Sequence, residues 1–74
     1  MTYKASIVVE KDDHGFYVYC PDLPGCQSQG ETYEEAMTNI REAIDLYLET
    51  LEVEERKAYL SKEIMTGSVE VTVG

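Results

Sequence analysis

Tryptophan is absent from the chain, histidine occurs once and cysteine twice among 74 residues. One histidine excludes multi-histidine metal sites, and Cys20 and Cys26 are too few for a disulfide scaffold or a four-ligand zinc site. Basic residues are scarce as well: six Lys and Arg stand against fifteen Asp and Glu, a formal net charge of −9. Affinity for nucleic acid rests largely on Lys and Arg neutralising phosphates, so direct DNA or RNA binding by this chain alone is not expected. A basic protein partner suits the charge, while acidity alone also keeps a small protein soluble. No stretch is long and apolar enough to cross a membrane, and no basic segment followed by an apolar one opens the chain. A cytoplasmic setting is therefore expected. Repeats and low-complexity tracts are missing, and residues 1–74 read as one domain. A chain of this length buries only roughly 60% of the surface its unfolded form exposes, which makes self-association, as a dimer or higher oligomer, a reasonable expectation.

The apolar pattern that is present divides the chain. Tyr3, Ala5, Ile7 and Val9 alternate with polar residues and read as a half-buried strand over residues 3–10. Lys11 to Gly15 reads as a turn, with Asp side chains favouring local bonds and Gly15 permitting positive φ. Phe16 to Cys20, aromatic and β-branched, is a second strand, antiparallel to the first. Pro21-Asp22-Leu23-Pro24-Gly25 breaks the pattern, because Pro removes ladder donors and Gly25 allows a tight reversal. Cys26 to Gln29 is a short third strand that Gly30 ends.

Thr32-Tyr33-Glu34-Glu35 has the form of a capping box, with the Thr32 hydroxyl accepting from the Glu35 amide and the Glu35 side chain reaching back. Behind it, Ala36, Met37, Ile40, Ala43, Ile44, Tyr47, Leu48 and Leu51 recur at helical spacing, one apolar stripe on about five turns. Glu34, Glu42, Asp45 and Glu49 lie off the stripe. Residues 52–64 are helix-compatible, either continuing this helix or starting another. Val69, Val71 and Val73, alternating with Glu70 and Thr72, read as a final strand. The expected architecture is α+β: a two-layer sandwich in the order β-β-β-α-β, a mostly antiparallel sheet with one main amphipathic helix on one face.

A helix covers only one face of such a sheet. If Phe16, Val18 and Cys20 face the helix, Tyr17 and Tyr19 face away, near Val8. Two tyrosines there are either a contact surface or simply residues that fit a half-exposed pleat. Asp12, Asp13 and His14 sit in one turn with no second cluster to complete a metal or catalytic site, so solvated turn charges are expected. Cys20 and Cys26 flank the Pro21–Gly25 connection. They can pair only if the geometry matches, and a cytoplasmic setting argues against it. Met37 and Tyr47 read as core rather than as a ligand site.

These residues together resemble a known family. The hairpin, the segment Pro21-Asp22-Leu23-Pro24-Gly25-Cys26, Gly30, Thr32 with Glu34-Glu35-Ala36, and the helix body Asn39-Ile40-Arg41-Glu42-Ala43-Ile44 resemble the HicB-like antitoxin domain. The likeness is good over residues 3–51 and holds in outline for the last strand. It implies a partial ribonuclease-H-like fold without ribonuclease activity. It also implies a protein that binds and masks a HicA-type toxin, a small basic RNase that cleaves messenger RNA.

Ribonuclease H chemistry needs several carboxylates holding two magnesium ions. The strand interiors here carry Ile7, Val9, Phe16 and Val18, and Glu10 and Glu70 form no evident cluster. No catalytic residue, metal ligand or cofactor site is expected, and no enzyme. Many members of the family carry a C-terminal DNA-binding module; none is visible after residue 51, so repression of an operon is not expected of this chain. Residues 52–64 are longer than the family's usual link. The candidate partner contacts are Tyr17, Tyr19, Asp22, Leu23, Glu31 and Glu34. Gly15, Pro21, Pro24, Gly25, Cys26, Gly30, Thr32, Glu35 and Ala36 are expected to set the geometry. The alternative function is an oligomeric structural or regulatory binding module with no toxin partner.

Overall fold

The computed structural model describes residues 2–74. Three strands form one antiparallel sheet in the order β1 (Val8–Asp12), β2 (Gly15–Tyr19), β3 (Gln27–Gly30). Two helices follow, α1 (Tyr33–Glu49) and α2 (Val53–Tyr59), and α1 packs over β3 and β2. The two-layer α+β class expected from the sequence is the one observed, with the element order β-β-β-α-α.

The β1–β2 turn is tighter than the sequence suggested. Lys11 and Asp12 belong to β1 and Gly15 to β2, so Asp13 and His14 alone make the reversal. Asp12 Oδ1 accepts from the His14 amide at 2.8 Å, the local Asx bond that favours such turns. Among the described residues, Gly15 and Gly25 are the two with positive φ, at 129° and 79°. Register places residues of opposite faces in alternate rows. Val9 opposes Val18 and Phe16 opposes Gly30 on the inner face, while Val8 opposes Tyr19 and Glu10 opposes Tyr17 on the outer. Lys11 extends its ammonium over the Phe16 ring, 5.6 Å from the centroid.

The buried core is Val18, Cys20, Leu23, Cys26, Ala36 and Ile40. All eight positions of the helical stripe reach it: Ala36 and Ile40 are fully buried, and Met37, Ala43, Ile44, Tyr47, Leu48 and Leu51 pack around them. Thr32 caps α1 by accepting from the Glu35 amide at 3.1 Å. Only this half of the expected capping box forms; the reciprocal arrangement occurs instead at α2, between Glu52 and Glu55. Arg56 of α2 donates from Nε to the Leu48 carbonyl at 2.7 Å and lies over the Tyr3 ring. It thereby adds a side-chain bond to a carbonyl at the end of α1 that also accepts from the Leu51 amide at 3.1 Å, and it holds α2, a separate second helix, against α1.

Three expectations need correction. The first strand begins at Val8, not Tyr3, because nothing pairs with residues 2–7; Ala5 and Ile7 nonetheless pack against the core as their alternation required. The third strand is displaced by one residue, since Cys26 closes the preceding loop: the Cys20 amide donates to the Cys26 carbonyl at 2.9 Å, and the Cys26 amide to the Leu23 carbonyl at 3.0 Å. The final strand does not form. Residues 60–74 carry no strand or helix, and Val69, Val71 and Val73 are 86%, 75% and 92% exposed. Alternating valines supply strand propensity but no hydrogen-bond partners, and no sheet edge lies beside them.

The Pro21–Gly25 loop is a structural part of the core rather than an exposed turn. Asp22 is 2% exposed and Leu23 fully buried. Asp22 Oδ2 accepts from the Ser6 amide at 2.9 Å, tying the unpaired N-terminal segment to the loop, while Oδ1 has no protein partner. Asp22→Ala leaves the Ser6 amide without an acceptor and is expected to cost about 1–3 kcal/mol, with Asp22→Asn, which keeps an acceptor, costing less. Urea denaturation followed by circular dichroism measures both. An Asp22→Ala midpoint equal to that of the unaltered protein would remove the anchoring role.

Candidate interaction surface

The outer face of the sheet starts from register. Tyr17 and Tyr19 point away from α1, with Val8 and Glu10 beside them on β1 and Gln27 and Gln29 beside them on β3. The two tyrosine rings lie 5.7 Å apart at 34°, and the Tyr17 hydroxyl donates to Gln27 Oε1 at 2.7 Å. No element covers this face among the described residues. It is aromatic and hydrogen-bonding with one carboxylate, the amphipathic character that favours protein contact.

At the hairpin end of the sheet, an open cleft runs between the β1–β2 turn and the start of α1. Asp12, His14, Tyr17, Glu31 and Glu35 line it, with Asn39 on the helix side. Three carboxylates, Asp12 on the turn side and Glu31 and Glu35 on the helix side, make it anionic, and Glu34 and Glu35 in the first turn of α1 also suit the helix dipole. The structure thus brings Tyr17 and Glu31 to one cleft. Tyr19 opens instead on a shallow depression with Pro21, Pro24 and Gly25, and Glu34 is exposed on the helix. Asp22 and Leu23, expected as partner contacts, are buried in the core and are withdrawn from the contact surface. Asp12 and Glu35 were not among the expected contacts. Their common signal is a carboxylate near a glycine, Asp12 at the β1–β2 turn before Gly15 and Glu35 in the first turn of α1 after Gly30, two places that register brings together.

No group of three or more His, Cys, Asp or Glu side chains that could hold a metal ion lies together among the described residues. His14 and Asp12 are close, 3.9 Å, but both are solvated. Cys20 and Cys26 are both buried and free. Burial pushes both thiols up from their usual range, so they stay protonated and are poor nucleophiles. Burial raises the Tyr47 hydroxyl as well, with Tyr59 nearby, consistent with its place in the helical stripe. No helix among the described residues is long and apolar enough to cross a membrane.

Comparison with known proteins bears on what this surface serves. The family described as "HicB_like antitoxin of bacterial toxin-antitoxin system" matches residues 3–69. A UPF0150 protein of Helicobacter pylori strain J99 is 55% identical over 56 residues, 76% of each chain. A UPF0150 protein of Archaeoglobus fulgidus is 40% identical over 72 residues, 96% of this chain and 99% of that one. A UPF0150 protein of Synechocystis is 52% identical over 50 residues, covering 66% of this chain and 63% of its own length. No solved structure matches the chain significantly. With the family spanning nearly all of the described residues, including the hairpin, the buried loop and α1, the chain belongs to the HicB-like antitoxins of bacterial toxin–antitoxin systems.

Proposed function

We propose that the chain is an antitoxin that neutralises a small, basic HicA-type, mRNA-cleaving toxin by covering its RNA-binding surface, and that it acts as a homo-oligomer without catalytic activity of its own. The observation that carries this reading is the net charge of −9 on a member of an antitoxin family. An RNase must present cations to RNA phosphates, and an acidic protein competes for those same cations. Tyr17 and Tyr19 supply the apolar anchor, and the anionic cleft with Glu31 and the exposed Glu34 supply the complementary charge. Charge steering predicts a complex that salt weakens, since screening at 0.1 M salt acts over about 10 Å.

Co-expression with the HicA-type protein encoded in the same genome tests the proposal. Expected are restored growth, a co-purifying complex at low salt and partial release at high salt. Tyr17→Ala combined with Glu31→Lys is expected to weaken the complex at least about tenfold without unfolding either protein. Full toxicity with no complex formed would overturn the reading. Recovery of only copies of the chain itself, insensitive to salt, would favour the oligomeric module with no toxin partner.

A further inference from the structure

Cys20 and Cys26 take no part in the interaction surface, yet register brings them together. β2 and β3 pair Tyr17 with Gln29, Val18 with Ser28 and Tyr19 with Gln27, so the next step of the same ladder sets Cys20 opposite Cys26. A ladder bond joins them, the Cys20 amide donating to the Cys26 carbonyl at 2.9 Å. Residues directly opposite in an antiparallel pair share a face, and in a hydrogen-bonded pair their α-carbons lie about 5.5 Å apart. Disulfides span about 4.4–6.8 Å between α-carbons. Both cysteines are free, and both belong to the buried core with Val18 and Leu23.

The loop between them holds this geometry. The Leu23 amide donates to the Cys20 carbonyl at 3.1 Å, and the Leu23 carbonyl accepts from the Cys26 amide at 3.0 Å. Every backbone N–H and C=O of the two cysteines is thereby committed. Only side-chain rotation is left to bring the sulfurs into contact. The two thiols are unequal. Burial raises both, and Cys20 adds to the push on Cys26. At Cys20, the backbone amides of Leu23 and Asp22 favour the thiolate, against burial and a smaller effect of the Asp22 carboxylate. Cys20 is therefore the better nucleophile of the pair.

We propose that Cys20 and Cys26 form a reversible disulfide, an oxidation site at which a hydroperoxide staples the core of the domain. The Cys20 thiolate attacks a peroxide oxygen, the O–O bond breaks, and the departing oxygen leaves as water. Cys26 then attacks the Cys20 sulfenic sulfur and gives up its proton. The S–S bond forms as a second water leaves, so two thiols lose two electrons to one peroxide. A dithiol reverses the step. In a reducing compartment such a pair stays reduced until an oxidant challenges it, the usual setting of transient, redox-sensing disulfides. Burial selects the chemistry. Cys20 is 2% and Cys26 5% exposed, beneath a shallow depression rimmed by Tyr19, Pro21, Pro24 and Gln27. Hydrogen peroxide, small and uncharged, enters on local opening, whereas bulky thiols and a second copy's cysteine do not. The pair therefore closes on itself, slowly, and not between chains. The bond closes the loop that seats Leu23, and a domain with so small a core gains from such a staple.

The inference is independent of the toxin and of oligomerisation. The folded, unaltered protein is held in excess hydrogen peroxide, its remaining thiols are alkylated in denaturant, and the tryptic peptide Asp12–Arg41, which holds both cysteines, is weighed. Expected is a peptide two hydrogens lighter than the reduced one and free of alkyl groups, any oxygen on Met37 being scored apart. Dithiothreitol should restore both alkylatable thiols. The melting temperature of the oxidised protein should rise by at least about 5 °C and fall back on reduction. Cys26→Ala, which lacks the second thiol, should instead gain oxygen at Cys20 and show no such rise. Thiols that persist, oxygen added at the cysteines of the unaltered chain without loss of hydrogens, a bond between two copies, or pairing only in urea would each overturn the site. A disulfide that leaves the melting temperature unchanged or lowers it would overturn the staple.

Discussion

Leu23→Ala is expected to remove a large fraction of the stability of the domain, although the residue lies in an irregular loop. Leu23 is fully buried among Val18, Cys20, Cys26, Ala36 and Ile40. Its amide donates to the Cys20 carbonyl at 3.1 Å, and its carbonyl accepts from Cys26 at 3.0 Å, so the backbone on both sides of the side chain is fixed. The loop cannot collapse into the space that a deleted isobutyl group would leave. Truncations of this kind cost about 2–5 kcal/mol, and a domain of this size holds about 4–11 kcal/mol in total. The melting temperature should fall by at least about 10 °C at matched protein concentration, since association itself stabilises an oligomer. A fall of only a degree or two would mean that the loop does not plug the core. Because Pro21–Gly25 connects the strand of Tyr17 and Tyr19 to the strand that leads into α1, loss of the plug should also weaken binding to a toxin, without any contact residue having been altered.

That loop marks the boundary of what the sequence discloses. Where side chains recur with a period, the reading was accurate: the helical stripe from Ala36 to Leu48 is the inner face of α1, with Leu51 packing just past its end, and the alternation of Phe16 to Cys20 sends Val18 inward and Tyr17 outward. Periodicity is a property of regular elements, and Asp22 and Leu23 belong to none. Two prolines and a glycine around them indicate a turn, and nothing in that composition shows that the turn folds inward. The strand expected over Val69–Val73, which does not form, illustrates the opposite failure. Its pattern is as regular as that of Tyr3–Val9, but pattern specifies a face, while a strand also needs an edge, and the edge is supplied from outside the segment. In the interaction surface, Tyr17 and Glu31 were legible as exposed, amphipathic or acidic residues. That Asp12 and Glu35 share their cleft follows from pairing register, in particular the pairing of Phe16 with Gly30, which local sequence does not display.

Gly30 is where β3 hands over to α1, and its substitution should be the other severe lesion. A β-carbon built there would lie 2.5 Å from the Ala36 nitrogen and 3.0 Å from both the Ala36 α-carbon and the Glu35 carbonyl carbon. All three are backbone atoms of the first turn of a helix. The Ala36 amide is already committed to the Thr32 carbonyl at 3.0 Å, and the Glu35 amide to the Thr32 hydroxyl. No side chain can swing aside, so the helix must move off the sheet and carry Ala36 and Ile40 with it. Gly30→Ala should therefore cost the upper end of the roughly 1–3 kcal/mol typical of overpacking, and Gly30→Val more. Gly25 provides the control. Its φ of 79° disfavours a side chain, but a β-carbon there meets nothing within 4 Å, so Gly25→Ala costs only the backbone penalty of about 1–2 kcal/mol. Urea denaturation of Gly30→Ala, Gly30→Val and Gly25→Ala in parallel should rank Gly30→Val as least stable and Gly25→Ala as most stable of the three. The reverse ranking would show that the sheet and α1 do not approach so closely. If they do, lifting the helix start also displaces Glu31 and Glu35 from the wall of the anionic cleft, so Gly30→Ala should lose toxin affinity out of proportion to Gly25→Ala even where both remain folded.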